Sequence, residues 1–375
     1  MKFLHTADWQ IGRVYGFEGE SDDHDPAAAM AQARYDAVVR IAGLATSEQV
    51  DAVLVAGDVF DKQALSDHSL RRLINAMAGY SGRWILLPGN HDAALAESVW
   101  SRLQRLAVLP ANIELTLETR VMEYADAGFA ILPAPLTQRQ THDDLTEWFD
   151  TAETTEGLIR IGLAHGSVAG ILAEEIDSPN PIGADRAAQA RLDYLALGDW
   201  HGTRQIDART WYSGTPEQDR FKDNDPGNVL LVEIDAPGAL PRVTPKRVGR
   251  FRWRAQGVEI NGSSDVEQLR EQLQGLNDTD VVRLHVQGLV DFASSEQLRM
   301  LCEEARARAH VFESDLGELR LEPTAADLAA MQVDGALAEV VDELRDMQEQ
   351  GDQAAVANEA LKLLFDLIRR EGAGA

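Results

Sequence analysis

A single cysteine, Cys302, stands in a chain of 375 residues, which excludes an intramolecular disulfide and any metal site built from a cysteine cluster. It also fits a reducing compartment. No apolar run approaches the ~20 residues that a bilayer span requires, and Met1-Lys2-Phe3-Leu4-His5 leads into polar residues without the apolar core of a signal peptide. The expectation is a protein that stays in the cytoplasm. Basic charge is scarce: 35 Lys and Arg face 62 Asp and Glu, a net charge of -27, so the overall field repels polyanions and argues against nonspecific coating of DNA. A nuclease is still allowed, because phosphate contacts are local and bound cations reverse the sign inside a carboxylate-lined cleft. Internal repeats and low-complexity tracts are missing as well. What is there is an ordinary globular composition, 45% hydrophobic and 26% charged, in a chain long enough for two domains or one with an appendage.

From Lys2 to about Arg250, short apolar runs end in polar or glycine-containing turns and several are followed by helical patterns, an α/β rhythm. Asp51–Asp58, Arg83–Asn90, Leu158–His165 and Asp193–Asp199 read as buried strands. Asp25-Pro26 predicts a helix start for a segment to about Ala45, and Ser66 predicts a cap for a helix carrying Leu70, Leu73, Ile74 and Met77 on one face. After Arg254 the texture changes to helical patterns at about 264 to 275 and 294 to 309 around a strand-like Val281–Val286. Beyond Pro323 the spacing is helical again, with Leu337, Val340, Val341 and Leu344 in one segment and Ala357, Ala360, Leu361, Leu364, Phe365 and Ile368 in another, Gly351 marking the turn. Leu363 and Leu367 broaden that apolar face. The expected division is 1–245, a small α/β domain over 246–325 and a helical segment over 326–375.

Asp8, Asp58, Asn90, His91, His165 and His201 fall at or just beyond the ends of five predicted strands, where ligands gather in open α/β sheets. Taken alone, His165 or His201 reads as a hydrogen-bonded loop histidine. Together they supply carboxylate, amide oxygen and imidazole, the mixture that holds Mn²⁺, Fe²⁺ or Zn²⁺. Two weaker features accompany them. Lys246, Arg247, Arg250, Arg252 and Arg254, interleaved with Phe251 and Trp253, form either a phosphate-tracking, base-stacking stretch or, as the favoured reading, an edge strand with alternating exposed charges. The Asp22-Asp23-His24-Asp25 cluster reads as a solvated acidic loop rather than a further metal site.

The segments His5-Thr-Ala-Asp8, Gly57-Asp-Val-Phe-Asp61, Pro88-Gly-Asn-His-Asp92, Ala164-His-Gly166, Gly198-Asp-Trp-His201 and Ser213-Gly-Thr-Pro-Glu217 resemble the calcineurin-like metallophosphoesterases, and within them the nuclease subunits of DNA-end-processing complexes. Over residues 1 to 245 the resemblance implies a metallophosphoesterase β-sandwich flanked by helices, followed by a small α/β capping domain and C-terminal helices that bind a partner. It implies two divalent metal ions, Mn²⁺ before Mg²⁺, Fe²⁺ or Zn²⁺. Carried over residue by residue, Asp58 would bridge the ions, Asp8 and His201 would hold the first, and Asn90 and His165 the second. His91 would contact the scissile phosphate and protonate the leaving oxygen. The family has histidine where this chain has Gln10 and Asp199, so Gln10 is expected to weaken the first site and Asp199 to shift the second toward harder ions. The implied function is DNA phosphodiester hydrolysis in repair, with DNA and an SMC-like coiled-coil ATPase as partners and a homodimer left open. A small-molecule phosphodiesterase, or a catalytically weakened DNA-end and ATPase-binding scaffold, are the alternatives.

Overall fold

The computed structural model describes residues 1–17, 25–170, 179–322, 335–348 and 353–372. Asp22, Asp23, His24 and Gly351 lie outside the described residues, as do the side chains of Phe365, Leu367 and Ile368. The chain divides into two units, Met1–Phe251 and Arg252–Ala375.

In the first unit the buried runs become two six-stranded sheets. One has the order Arg242–Arg247, Asn228–Glu233, Lys2–Thr6, Ala52–Ala56, Arg83–Leu87, Ile113–Leu115. The other runs Arg204–Gln205, Thr210–Tyr212, Tyr194–Gly198, Ile159–His165, Phe129–Ala134, Met122–Tyr124. Successive side chains on a strand point to opposite faces, so each strand serves two cores at once. Leu54, Ile85 and Phe3 meet Phe129, Ile161, Tyr194 and Ala196 between the sheets, whereas Val53, Val55, Trp84 and Leu4 face an outer layer with Val38, Ile41, Leu70 and Trp100. Each fully buried Leu, Val or Ile contributes about 1.5–3 kcal/mol. His5, at the end of the first strand, belongs to this interior: its ring lies 3.0 Å from the Tyr194 hydroxyl and 3.1 Å from the Leu197 carbonyl, and burial pushes its pKa down to about 3, so it is neutral.

The outer helices follow their sequence signals. Pro26–Ser47 starts with Pro26 at the first helical position and with the Asp25 carboxylate accepting from the Ala28 amide at 2.8 Å. Asp67–Met77 is capped by Ser66, which accepts from the Ser69 amide, and buries Leu70, Leu73, Ile74 and Met77. The strands Lys2–Thr6, Ala52–Ala56 and Arg83–Leu87 run parallel, as do Ile159–His165 and Tyr194–Gly198. Their carboxyl ends therefore come out together.

The second unit holds three parallel strands, Arg252–Ile260, Asp280–Val290 and Val311–Leu321, linked by the helices Ser263–Leu273 and Phe292–Arg308. The central strand is longer than the sequence reading of Val281–Val286. Helices Ala336–Gln348 and Ala354–Gly372 follow. Val341 and Leu361 are buried in the core of this unit with Leu269, Leu284 and Leu301, and a buried Gln348 to Asn358 hydrogen bond of 2.6 Å ties the two helices together. Val340, Val356 and Leu363 remain exposed.

The basic stretch is divided between the units. Lys246 and Arg247 lie on an edge strand of the first sheet, where Lys246 pairs with Glu48 at 3.1 Å and Arg247 donates to the Pro226 carbonyl. Phe251 is fully buried and its amide donates to Glu217 at 2.7 Å, so it cannot stack a base. Arg252 and Arg254 both pair with buried Asp280. Phe251 is thereby removed from the stretch, while Trp253 is half-buried and the side chains of Arg252 and Arg254 stay about half exposed beside Asp280.

Candidate metal centre

The loops that follow the parallel strands hold their polar residues in a costly backbone conformation. Asp8, Gln10, Asp58 and Asp199 have φ of 54°, 45°, 51° and 102°, a region that costs of order 1–3 kcal/mol for a residue with a side chain. Cross-loop hydrogen bonds hold two of these loops together: Asp8 N–H donates to the Gly57 carbonyl at 3.0 Å, Gln10 N–H to Asp58 at 2.9 Å and Ile11 N–H to Val59 at 2.9 Å. Two motif glycines are there for space. A Cβ on Gly57 would lie 2.2 Å from His165 Nδ1, and one on Gly89 would lie 2.2 Å from Asp58 Oδ1.

Asp8, Asp58 and His165, all buried, each offer one atom within 4.8 Å of the others. His165 Nδ1 lies 2.9 Å from the Ala56 carbonyl, to which it can donate, so the Nε2 lone pair is free to face inward, 3.5 Å from Asp58 Oδ1 and 3.9 Å from Asp199 Oδ1. The Asn90 oxygen lies 2.9 Å from the same Nε2 and faces the Asp58 carboxylate, so it meets only acceptors. Turning the amide over would let its nitrogen donate to Asp58 Oδ2 at 3.1 Å; the oxygen-inward orientation is the one a cation stabilises. Electrostatics say the same. Burial, with the charges of Asp58 and Asp199, pushes the Asp8 carboxyl up to about 6 against the pull of His201 and His165. Burial lowers the basicity of His165, but Asp58, Asp8 and Asp199 outweigh it and bring the imidazole to about 9. A crowd of negative oxygens that holds on to protons is short of positive charge.

His91 stands at the open edge of this cluster. Its backbone N–H donates to Asp58 Oδ1 at 3.0 Å, its Nδ1 lies 2.9 Å from the Asp61 carbonyl, and its Nε2 reaches to 4.0 Å from Asp58 Oδ2 with the side chain 42% exposed. Next to it, fully buried Asp92 accepts from the amides of Phe60 at 3.0 Å and Gly89 at 2.6 Å, clamping the two motif loops together.

The other side of the centre is built differently. His201 Nδ1 lies 3.0 Å from Asp219 Oδ2, and its Nε2 is 3.2 Å from Gln10 Nε2. The Gln10 oxygen accepts from Arg13 at 2.5 Å. Asp219 is surrounded by Arg220 at 3.1 Å, Arg13 at 3.3 Å and Arg34 at 3.6 Å.

The model of the calcineurin-like phosphoesterase family matches residues 1–232. The chain belongs to that family. It is 39% identical over 310 residues to the nuclease subunit of SbcCD from Rhodobacter capsulatus, spanning 69% of this chain and 73% of that one. The SbcCD nuclease subunit of Bacillus subtilis is 28% identical over 274 residues, 64% of this chain and 67% of that one. The "DNA double-strand break repair protein Mre11" of Aeropyrum pernix is 29% identical over 272 residues, 66% of this chain and 61% of that one. No helix among the described residues is long and apolar enough to cross a membrane.

A calcineurin-like phosphoesterase implies divalent metal ions, and the donor set of Asp8, Asp58, Asn90 and His165 fits one: two carboxylates, an amide oxygen and an imidazole converge, and a cation would take the place of the proton that His165 holds without it. Asp199 stands at the rim of that set, its backbone N–H donating to both Asp8 oxygens at 3.2 Å. His201 and Gln10 face each other instead. Asp8, expected beside the first ion, is grouped with Asp58 and His165. Asp92 is visible in the sequence only as the last residue of Gly-Asn-His-Asp, and Arg13, Arg34, Asp219 and Arg220 carry no spacing that marks them; only the fold brings Arg34, from an outer helix, to Asp219.

Proposed function

We propose that this chain is a metal-dependent nuclease that hydrolyses DNA phosphodiester bonds in repair. The observation that carries the reading is the convergence of the Asp8, Asp58, Asn90 and His165 acceptor atoms beside an exposed imidazole, His91, in a chain 39% identical to a protein named as a nuclease subunit. When bound, a divalent ion supplies Lewis-acid charge at the phosphoryl oxygens and acidifies water for attack at neutral pH. The mixture of hard oxygens with one imidazole favours Mn²⁺. Asp58, Asn90, Asp8 and His165 would hold the ion, and Asp199, 3.9 Å from His165 Nε2, would be the carboxylate next to them. His91, its Nδ1–H anchored on the Asp61 carbonyl, presents Nε2 outward. As a water oxygen, its proton released to solvent, bonds to phosphorus and the bond to the leaving sugar oxygen breaks, the cationic form of His91 would give that oxygen the proton on Nε2 and become the neutral Nδ1–H imidazole.

The two relatives named as subunits of SbcCD support action in a complex, and the helical hairpin with exposed Val340, Val356 and Leu363 is our candidate for docking a coiled-coil ATPase in the cytoplasm. The net charge of -27 favours the competing reading, a phosphodiesterase for small molecules. Incubation with Mn²⁺ and linear duplex, single-stranded DNA and an aryl phosphodiester separates them: we expect all DNA cleavage to stop on chelation, and hydrolysis of the aryl ester alone would reject the nuclease.

A further inference from the structure

The resemblance assigns a first ion to Asp8, Gln10, Asp58 and His201, and the arrangement around Gln10 and His201 does not fit one. Gln10 has a single oxygen to offer, and Arg13 already donates to it at 2.5 Å. Its nitrogen is turned toward His201 Nε2 at 3.2 Å, where it can donate. Rotating the amide to aim the oxygen inward would set its NH₂ against the guanidinium of Arg13, donor against donor. The His201 ring is held as tightly. Nδ1 faces Asp219 Oδ2 at 3.0 Å, and Arg220 lies against the ring, one nitrogen 2.7 Å from Nδ1 and 3.3 Å from Nε2.

Positive charge already fills this corner. Asp219, whose side chain is 1% exposed, is approached by Arg220 at 3.1 Å, Arg13 at 3.3 Å and Arg34 at 3.6 Å. Asp61, 3.7 Å from Arg13, and Glu217, whose charge acts on Arg34, are further carboxylates at hand. Arg34 is buried, its Nε donating to the Tyr15 hydroxyl at 2.7 Å and one terminal nitrogen to the Trp9 carbonyl at 2.8 Å, while its other terminal nitrogen has no hydrogen-bond partner among the described residues. That nitrogen is the one 3.6 Å from Asp219, so Arg34 adds a third guanidinium beside a single buried carboxylate. A divalent ion placed next to His201 would be repelled by these guanidinium groups, whereas the acceptor cluster at Asp58, Asn90 and His165 has no guanidinium in contact with it among the described residues.

We infer that this phosphoesterase holds one divalent ion, at Asp8, Asp58, Asn90 and His165, and that Arg13 and Arg220 take the place of a second ion by binding an oxygen of the phosphate under attack. Both side chains reach the surface, 25% exposed for Arg13 and 48% for Arg220. A planar guanidinium fork matches phosphate and keeps its charge at every working pH. Arg34 lies too deep to touch substrate; it positions, by its bonds to the Trp9 carbonyl and its proximity to Asp219.

The inference rests on the metal-dependent reading above, and one measurement keeps the two apart. Calorimetric titration of the metal-stripped full-length protein with Mn²⁺, checked by elemental analysis, is expected to give one equivalent. Two equivalents of comparable affinity overturn the inference and leave the metal-dependent reading standing; none overturns both. The double substitution Gln10→His with Arg13→Met removes the oxygen's captor and supplies an imidazole, and is expected to add a second equivalent. A variant that melts like the wild type yet still binds one equivalent would overturn the role given to Arg13. Arg220→Ala is expected to raise KM for an aryl phosphodiester about tenfold with the Mn²⁺ stoichiometry unchanged, and Arg220→Lys to recover part of that loss. Unchanged KM and kcat in Arg220→Ala would show that the guanidinium does not touch the phosphate.

Discussion

His165 and His201 sit on opposite sides of one centre, each at or just beyond the end of a strand of the same sheet, and each has a neighbour at one ring nitrogen. What differs is the other nitrogen. His165 Nε2 faces Asp58, Asn90 and Asp199, acceptors all; His201 Nε2 faces the amide nitrogen of Gln10, with Arg220 alongside. A ligand-type side chain is thus available to a cation only when nothing nearer already donates to it. The same rule separates Asn90, whose oxygen faces the Asp58 carboxylate and an imidazole nitrogen that can give up its proton, from Gln10, whose oxygen is held by Arg13, which cannot. Two amides and two imidazoles, alike in composition, have opposite chemistry because arginines stand on one side only.

The heaviest blow to that comparison comes from Asp58, the carboxylate on the metal side that contacts both His91 and His165. Asp58→Ala is expected to lower Mn²⁺-dependent hydrolysis by more than about a thousandfold. Activity within tenfold of wild type would place the reaction elsewhere. His91→Ala is the milder test on the same side. Its Nε2 lies outside the acceptor cluster, so Mn²⁺ binding should persist while kcat falls by about 10²–10⁴, the range for loss of a general acid. Loss of the ion together with turnover would make His91 a ligand.

Proton competition sharpens the comparison further. Without metal, His165 is protonated up to about pH 9 and Asp8 up to about pH 6, and both must release a proton before they bind an ion. Apparent Mn²⁺ affinity should therefore rise about tenfold per pH unit from pH 6.5 to 8.5 and more steeply below 6. The sign for stability is the opposite. The raised pKa of His165 stabilises the metal-free fold fully below pH 6.5, and that contribution is lost as pH climbs through 9. Calorimetry across this range decides it; an affinity flat from pH 7 to 8.5 would take His165 out of the ligand set.

The part of this centre legible in the sequence is the part that local chemistry fixes. Asp58, Asn90 and His91 follow buried parallel strands, and the glycines before them are needed because a Cβ on Gly57 or Gly89 would strike His165 or Asp58. The helix starts are equally local: Asp25, Pro26 and Ser66 act within a few residues of themselves. What cannot be read is the saturation of one half by arginines. Arg34 reaches Asp219 from far along the chain, and no periodicity connects an outer helix to a loop that distant. The units divide after Phe251 rather than near residue 245 for a related reason. The alternating charges of 246–254 look continuous, yet Val248 and Phe251 are buried, with the Phe251 amide fixed on Glu217, and the next strand pairs in a different sheet.

The smallest effects are expected on the helical hairpin, where inward and outward apolar residues carry the same kind of contrast. Leu361 is fully buried against the second unit's own core, so Leu361→Ala should cost about 2–5 kcal/mol in denaturant unfolding of that unit. Val356 and Leu363, 67% and 56% exposed, lie seven residues apart and share a flank of the same helix. Neither lies in a buried cluster of the described residues, so Val356→Asp should change stability by no more than about 0.5 kcal/mol. If that flank docks the coiled-coil ATPase, the carboxylate would be buried without a partner in the complex, and binding should weaken at least tenfold by an amount that scales with the apolar area lost. Measuring both quantities on one variant separates the roles: unchanged affinity with unchanged stability would take the docking surface away from this flank, and a large loss of stability would show that Val356 belongs to the core after all.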